Sequence, residues 1–232
     1  MTKTKTQKES SARAPFDPTV DLDAYVDEIM RRFKKEMPGP VRPALDFVDP
    51  YQCVCAVSLS AQTTDVSVNK VTPVLFARYP DVTTLASADP AEVEQIIHSL
   101  GFFRNKTKNL IGMARKVIAE YGGEIPHTME ELITLPGVAR KTANIVLGSS
   151  FGIVEGIAVD THVFRIAHRL GLSNAKNPDQ TERDLCAAFP REHWYRVNYE
   201  MVNFGRTICD AKKPQCAQCF LNDICPYFLG QE

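Results

Sequence analysis

The sequence predicts an all-α protein, on the basis of three observations. Between Lys106 and Tyr121 apolar side chains recur every three or four residues, which is the stripe of an amphipathic helix. Asp49-Pro50, and Thr128 with Glu131 three residues after it, are helix start signals. No segment of any length alternates apolar and polar residues as a half-buried β-strand does. We therefore expect helices joined by turns.

The predicted helices follow a segment of different composition. The first 15 residues are rich in lysine, serine and threonine and nearly devoid of apolar side chains, so residues 1–20 are predicted to form a disordered basic arm. A helix is expected from Asp21 to Glu36, because four apolar side chains would share one face: Leu22, Tyr25, Ile29 and Phe33. Prolines at positions 38, 40 and 43 interrupt the chain after it and mark the first boundary.

The composition is that of a globular protein, with 44% hydrophobic and 24% charged side chains in 232 residues. No run approaches the roughly 18 apolar residues of a membrane span, and no membrane partner is expected. The formal net charge of −1 gives no general attraction to nucleic acid. However, residues 104–116 hold five basic side chains and no acidic one, which predicts a local positive patch.

A Pro-Gly turn stands between two helical segments at residues 135–147, in the sequence LPGVARKTANIVL. Such a turn exposes consecutive backbone N–H groups, and the positive end of the next helix lies beside them. Both features favour a bound phosphate, and the candidate contacts are Gly137, Ala139, Arg140 and Thr142. A plain tight turn in a helical bundle is the alternative.

The segment VDTHVFR at residues 159–165 places Asp160 directly before an apolar helical stripe. An aspartate at this position caps the first turn of a helix, and capping alone would account for it. A carboxylate that serves a reaction is the other interpretation. His162 and His168 are expected at the surface or in packing rather than on a metal.

Four of the seven cysteines lie in one short loop: Cys209, Cys216, Cys219 and Cys225. Four thiolates so close in sequence predict a metal site. Both tetrahedral zinc and a [4Fe–4S] cluster fit this donor set, and the chemistry barely separates them. The three scattered cysteines are expected to be buried free thiols: Cys53, Cys55 and Cys186.

These motifs, in this order, resemble those of the helix-hairpin-helix DNA glycosylases of the endonuclease III family. The resemblance includes the hairpin, the VDTHVFR segment, the spacing C-x6-C-x2-C-x5-C and the stretch SAQTTDVSVNK at residues 60–70. It implies two helical halves with DNA in the cleft between them. Residues 43–153 would form a six-helix barrel with the helix-hairpin-helix at 129–147. Residues 21–42 plus 154–232 would form an iron–sulfur cluster domain.

The resemblance also implies roles for particular residues. Lys141 would be the nucleophile and Asp160 the essential carboxylate, and the cysteine loop would carry [4Fe–4S] rather than zinc. The Lys141 amine must be neutral when it attacks, so we expect it in a partly desolvated position in the cleft.

Three further residues are candidates for DNA contact outside the hairpin. Gln62 matches the position where the family inserts a side chain into the space left by the extruded base. Phe102, beside Arg104, is either a wedge between bases or a core residue.

The family hairpin has glycine where this chain has Ala139. Glycine permits a positive φ or a close phosphate, so Ala139 predicts weaker engagement of DNA.

The resemblance thus implies a base excision repair enzyme, a DNA glycosylase and abasic-site lyase. It would remove oxidised pyrimidines such as thymine glycol by lysine attack at C1′, then cleave the abasic site by β-elimination. The expected partner is damaged double-stranded DNA. A bacterial-type cytoplasm, with the enzyme associated with the nucleoid, is expected because no targeting signal is present. A monomer is expected because helical lyases of this size can act as monomers. The alternatives are a related glycosylase with a different base preference and a non-catalytic, redox-sensing DNA-binding protein.

Overall fold

The computed structural model describes residues 21–39 and 41–230, and every regular element within them is helical, which confirms the all-α class. The predicted basic arm at residues 1–20 lies outside the described residues. The α-helices of the described part are α1 (Leu22–Glu36), α2 (Pro50–Leu59), α3 (Asp65–Arg78), α4 (Val82–Ala86), α5 (Pro90–Ile97), α6 (Phe103–Tyr121), α7 (Met129–Leu132), α8 (Arg140–Val146), α9 (Thr161–Arg169), α10 (Pro178–Ala188), α11 (Trp194–Thr207) and α12 (Pro226–Leu229). None of these described helices is long and apolar enough to cross a bilayer.

The described residues fold into two compact units. The hairpin unit comprises residues 39–158 and 195–199, and the cysteine unit comprises residues 21–38, 159–194 and 200–230. The chain passes from one unit to the other after Pro38 and after Ala158. The divisions that the family resemblance implies, after residues 42 and 153, are four and five residues away from these positions.

The core of the hairpin unit is built around α2, which is buried on all sides and contacts α3, α6 and α8. Asp49 caps this helix by accepting a hydrogen bond from Gln52 N at 2.8 Å, and Pro50 fills its first position. Cys53 and Cys55 are fully buried in it, as predicted. Burial raises the pKa of the Cys53 thiol to about 11, which is the behaviour of an inert core thiol.

The helices α7 and α8 form the helix-hairpin-helix. Thr128 caps α7, as its sequence predicts, by accepting a hydrogen bond from Glu131 N at 3.3 Å. The chain leaves the helical conformation before Pro136, because a residue that precedes proline disfavours it. A π-helical turn at Leu147–Phe151 continues α8.

The segment Tyr195–Tyr199 of α11 packs against this π-helical turn, which the sequence does not predict. Ser149 Oγ lies 3.1 Å from the Tyr199 hydroxyl and 3.4 Å from the Tyr195 hydroxyl. Position 148 must be glycine, because a Cβ there would lie 2.6 Å from carbon atoms of the Tyr195 ring. These contacts explain why five residues of α11 belong to the hairpin unit.

The cysteine unit is held together by α1. The Phe33 ring packs edge-on against Phe204 and Phe220, with 5.3 Å between centroids in each pair. The Tyr25 hydroxyl donates to the carbonyls of Leu170 and Ile224 at 3.1 and 3.2 Å. The amino-terminal helix therefore braces both α9 and the cysteine loop.

Candidate functional site

The turn between α7 and α8 depends on Gly137. Its φ of +79° lies in the left-handed region, and a Cβ there would lie 2.9 Å from Asn109 Cβ. Val138 N donates to Leu135 O at 3.1 Å and closes the turn. No side chain of the described residues caps α8, which leaves the N–H groups of its first turn for an external acceptor such as phosphate.

Ala139 fits its position without backbone strain. It is the N-cap of α8, with φ −89° and ψ 168°, an extended conformation that any residue adopts. The expectation that alanine would resist a positive φ here is therefore wrong. The remaining effect of Ala139 is its methyl group, which is exposed at the turn and would crowd a phosphate.

Lys141 stands in the first turn of α8 with an exposed side chain. Its amine makes no hydrogen bond or ion pair within the described part of the chain. The expected partial desolvation of Lys141 is thus not present in the free protein, and bound DNA would have to provide it. Of its neighbours, Arg140 is exposed, whereas Thr142 is buried and can offer DNA only its backbone N–H.

Asp160 caps α9, as one interpretation of the sequence predicts. Its Oδ1 accepts hydrogen bonds from His162 N and Val163 N, both at 2.8 Å. Its Oδ2 accepts none from the described residues, and the side chain is half-buried. Capping therefore occupies one oxygen of the carboxylate and leaves the other without a hydrogen bond from the described residues.

Gln62 and Phe102 share an unusual backbone conformation. With φ values of +54° and +58°, they are the non-glycine residues of the described chain in the left-handed region. This conformation costs roughly 1–2 kcal/mol and is concentrated at functional sites. Both side chains are exposed, Phe102 by 67%, so the core interpretation of Phe102 is wrong. Arg104 is also exposed, with its Nε 3.9 Å from a Glu94 carboxylate oxygen.

The cysteine loop encloses a cavity. Cys209, Cys216, Cys219 and Cys225 all line it, and its volume is about 370 Å³ including space open to solvent. Within the described ranges no three side chains converge closely enough to hold a single metal ion. Burial raises the pKa of the Cys219 thiol to about 11, so a thiolate here requires adjacent positive charge, which iron would supply. The four donors and the space between them fit an iron–sulfur cluster.

Two arginines of α9 connect this helix to the first cysteine. Arg169 donates from Nη1 to Cys209 Sγ at 3.1 Å and to Asp210 O at 2.8 Å, and its guanidinium lies 4.6 Å from the Tyr227 ring centroid. Arg165 donates from Nη2 to Gly205 O and Cys209 O at 3.1 and 2.9 Å. Donors to a ligand thiolate and to its loop stabilise a bound cluster.

Replacement of Arg169 by glutamine should weaken retention of the cluster, because the thiolate donor and the clamp on residues 209–211 are both lost. We expect loss of visible cluster absorbance in air to accelerate on the order of tenfold. The control is Arg183→Gln, which removes an exposed arginine of α10 whose hydrogen-bond partner among the described residues is Gln180. Equal decay rates for Arg169→Gln and the control would contradict this role.

The cysteines are recognisable from the sequence, whereas the role of Arg169 and the burial of Lys106 are not predicted. Arg169 follows Arg165 by four residues and so shares its helix face. Lys106 lies three residues after Phe103 and four before the core residue Leu110, so it falls on the buried face of its helix. Both features are visible in the sequence once the helix bounds are known.

Comparison with known proteins agrees with this arrangement. Residues 55–191 match the HhH-GPD superfamily of base excision DNA repair proteins, and residues 209–225 match the iron–sulfur binding domain of endonuclease III. Endonuclease III of Synechocystis is 51% identical over 86% of this chain and 90% of its own, and that of Escherichia coli is 39% identical over 86% and 94%. The solved structure of a trapped endonuclease III–DNA covalent intermediate has a TM-score of 0.85 at 37% identity, covering 90% of this chain and 98% of that one.

The hairpin and the cysteine loop define a helical DNA glycosylase and abasic-site lyase of base excision repair, with a [4Fe–4S] cluster as cofactor and DNA as partner. Within that class the chain belongs to the endonuclease III family.

Proposed function

We propose that this enzyme removes oxidised pyrimidines, such as thymine glycol, with Lys141 as nucleophile. The observation that carries the proposal is the position of the Lys141 amine, which is exposed in the first turn of α8, directly after the Gly137 turn, and has no partner among the described residues. Phosphates held at that turn would bring a deoxyribose carbon within reach of this amine.

The chemistry then proceeds in two stages. The neutral Lys141 amine attacks C1′, the bond from C1′ to the damaged base breaks, and the base departs with a proton. The bond from C1′ to the ring oxygen O4′ then breaks, O4′ takes up a proton, and the open sugar is left as an imine on Lys141. This imine withdraws electrons and acidifies C2′. Loss of a C2′ proton and departure of the 3′ phosphate follow, which nicks the strand by β-elimination.

Asp160 would assist this reaction electrostatically. Its capping bonds fix the carboxylate at the start of α9, and Oδ2 remains to face positive charge that develops on the sugar or to carry a proton. A carboxylate that is already held in position needs little reorganisation when the reaction occurs.

DNA recognition would use the exposed residues of the hairpin unit. The Gly137 turn, with Ala139, Arg140 and the Thr142 N–H, would contact the backbone, and Arg104 would add positive charge. Gln62 and Phe102 would enter the duplex, since a base must leave the stack before its glycosidic bond is accessible.

The four cysteines would hold the cluster, whose contribution is to fix the loop that carries Lys212 and Lys213. Both lysines are exposed, and their backbone N–H groups donate to Asp210 Oδ1 at 2.8 and 3.0 Å. The turn would thereby present two cations to phosphates. We further infer that the enzyme acts as a monomer in the cytoplasm, on nucleoid DNA.

The damage specificity is tested with duplexes that contain one thymine glycol, one 8-oxoguanine or undamaged thymine. The proposal expects release of thymine glycol and a nick, with little reaction on the other two. Preferential release of the purine lesion would overturn the assignment of oxidised pyrimidines.

Replacement of Phe102 by alanine should separate excision from lyase activity. A paired base must be extruded for excision, whereas a pre-formed abasic site has no base to extrude. Loss of the exposed ring is expected to slow release of thymine glycol about tenfold and cleavage of the abasic site much less. The exposed Ile118→Ala of the same helix is the control. Equal losses on both substrates would argue against a wedge.

A further inference from the structure

A cavity of the hairpin unit contains a buried cation that the mechanism above does not use. Gln62 and Phe102 line it, and so do Asn105, Lys106 and Asn109 of α6 and Gly137 of the hairpin turn. Its volume is about 580 Å³ including space open to solvent. Two candidate wedge residues and the phosphate-binding turn therefore meet at one cavity.

Lys106 is only 6% exposed, although it carries an amine. Its Nζ donates to Thr63 Oγ1 at 2.6 Å, and no ion pair with it is found within the described residues. Burial lowers the pKa of this amine. Burial of a cation with only a neutral hydroxyl beside it costs free energy. The ammonium group also has three N–H donors, and one of them is used in the bond to Thr63.

The ligand that would complete this arrangement is an oxygen acceptor. Thr63 belongs to the turn that holds Gln62, since Thr63 N donates to Ser60 O at 3.1 Å. When Gln62 and Phe102 enter a duplex, the base opposite the lesion loses its Watson–Crick partner and is left with unpaired edge atoms at the same place. A phosphate oxygen of that strand is the other possible source of an acceptor.

We propose that this cavity binds an oxygen acceptor of the DNA strand opposite the lesion, through the Lys106 ammonium, and that the acceptor is the carbonyl of the unpaired base. The inference rests on the proposed function. The lining favours a base over a phosphate, because Leu59, Ala61, Leu110 and the Phe102 ring add apolar surface that suits a flat aromatic ligand. An ammonium pairs with guanine O6 and is mismatched to the amino group of adenine. Lys106 would thus favour guanine opposite the lesion.

The test measures binding, so it does not depend on catalysis. Wild type, Lys106→Met and Thr63→Val are titrated with duplexes that carry a tetrahydrofuran abasic analogue opposite guanine, adenine or 2-aminopurine, at two salt concentrations. 2-Aminopurine lacks O6, so it removes the acceptor without any change in the protein. Thr63→Val is the matched control, because it removes the hydroxyl and keeps the amine.

The proposal expects wild type to bind the guanine duplex about five- to thirtyfold more tightly than the 2-aminopurine duplex, and Lys106→Met to lose that difference. Thr63→Val should keep it. If the acceptor is instead a phosphate, Lys106→Met binds all the duplexes more weakly by the same factor, and the slope of log affinity against log salt falls by about one. That result would support DNA binding at the cavity and reject the base as its ligand.

Unchanged affinities and salt slope in Lys106→Met, with wild type indifferent to O6, would overturn the inference. So would equal losses in Lys106→Met and Thr63→Val, which would show that the lysine only holds the turn. Melting temperature and cluster absorbance report whether each variant folds. If Lys106→Met does not fold, the comparison of the guanine and 2-aminopurine duplexes on wild type still tests the inference. An undamaged duplex is titrated alongside, and absence of any preference of wild type for the abasic duplexes over it would instead count against the proposed function.

Discussion

Lys141→Ala should abolish strand cleavage at an abasic site, with a rate loss of roughly 10³-fold or more, since the imine cannot form without the amine. The substitution removes an exposed side chain that has no partner in the part of the chain the structure describes, so the melting temperature should stay close to that of wild type. The measurement is single-turnover cleavage of a duplex that contains one abasic site.

The matched control is Lys108→Ala. Lys108 is another exposed lysine of the hairpin unit, in the first half of α6. Its loss removes the same positive charge and should leave the lyase rate within a few-fold of wild type through weaker phosphate attraction alone. A comparable collapse in both variants would mean that Lys141 acts as a phosphate contact rather than as a nucleophile.

Asp160→Asn should lower base excision by about 10²- to 10³-fold while the protein remains stable, because an amide oxygen can still accept the capping bonds but carries no charge. Asp160→Ala should lose the same activity and, in addition, about 1 kcal/mol of unfolding free energy, because the cap is gone. Excision rates and denaturant unfolding of the two variants distinguish the roles. Activity retained in Asp160→Asn would reduce this residue to a cap.

Local chemistry made much of the fold predictable from sequence. Asp49 and Thr128 were recognisable as caps because the side-chain acceptor and the first-turn N–H that it binds are neighbours in sequence. The period of apolar residues identified α1 and α6 for the same reason. The cysteine loop also concentrates its four donors within one short stretch of chain.

Properties that depend on distant contacts or exact dihedral angles were not predictable. The sequence does not show that the φ of Ala139 is negative, so the expectation of a positive φ there had no direct support. It does not show the left-handed conformations of Gln62 and Phe102 either. The Lys106–Thr63 bond spans 43 residues, and the packing of Tyr195 on Gly148 spans a similar distance along the chain. Asp160 is the clearest example of what sequence cannot decide, because its position fits either a helix cap or a reactive carboxylate. The structure shows that Oδ1 makes the capping bonds and that Oδ2 accepts none from the described residues.

The central claim, that Lys141 forms a covalent imine with DNA, is tested most directly on the wild-type protein. The enzyme is mixed with duplex DNA that contains an abasic site in the presence of borohydride, the adduct is digested, and the modified peptide is located by mass spectrometry. The account predicts a reduced deoxyribose adduct on Lys141 alone. An adduct on another lysine, or no adduct while the strand is still cleaved, would contradict it.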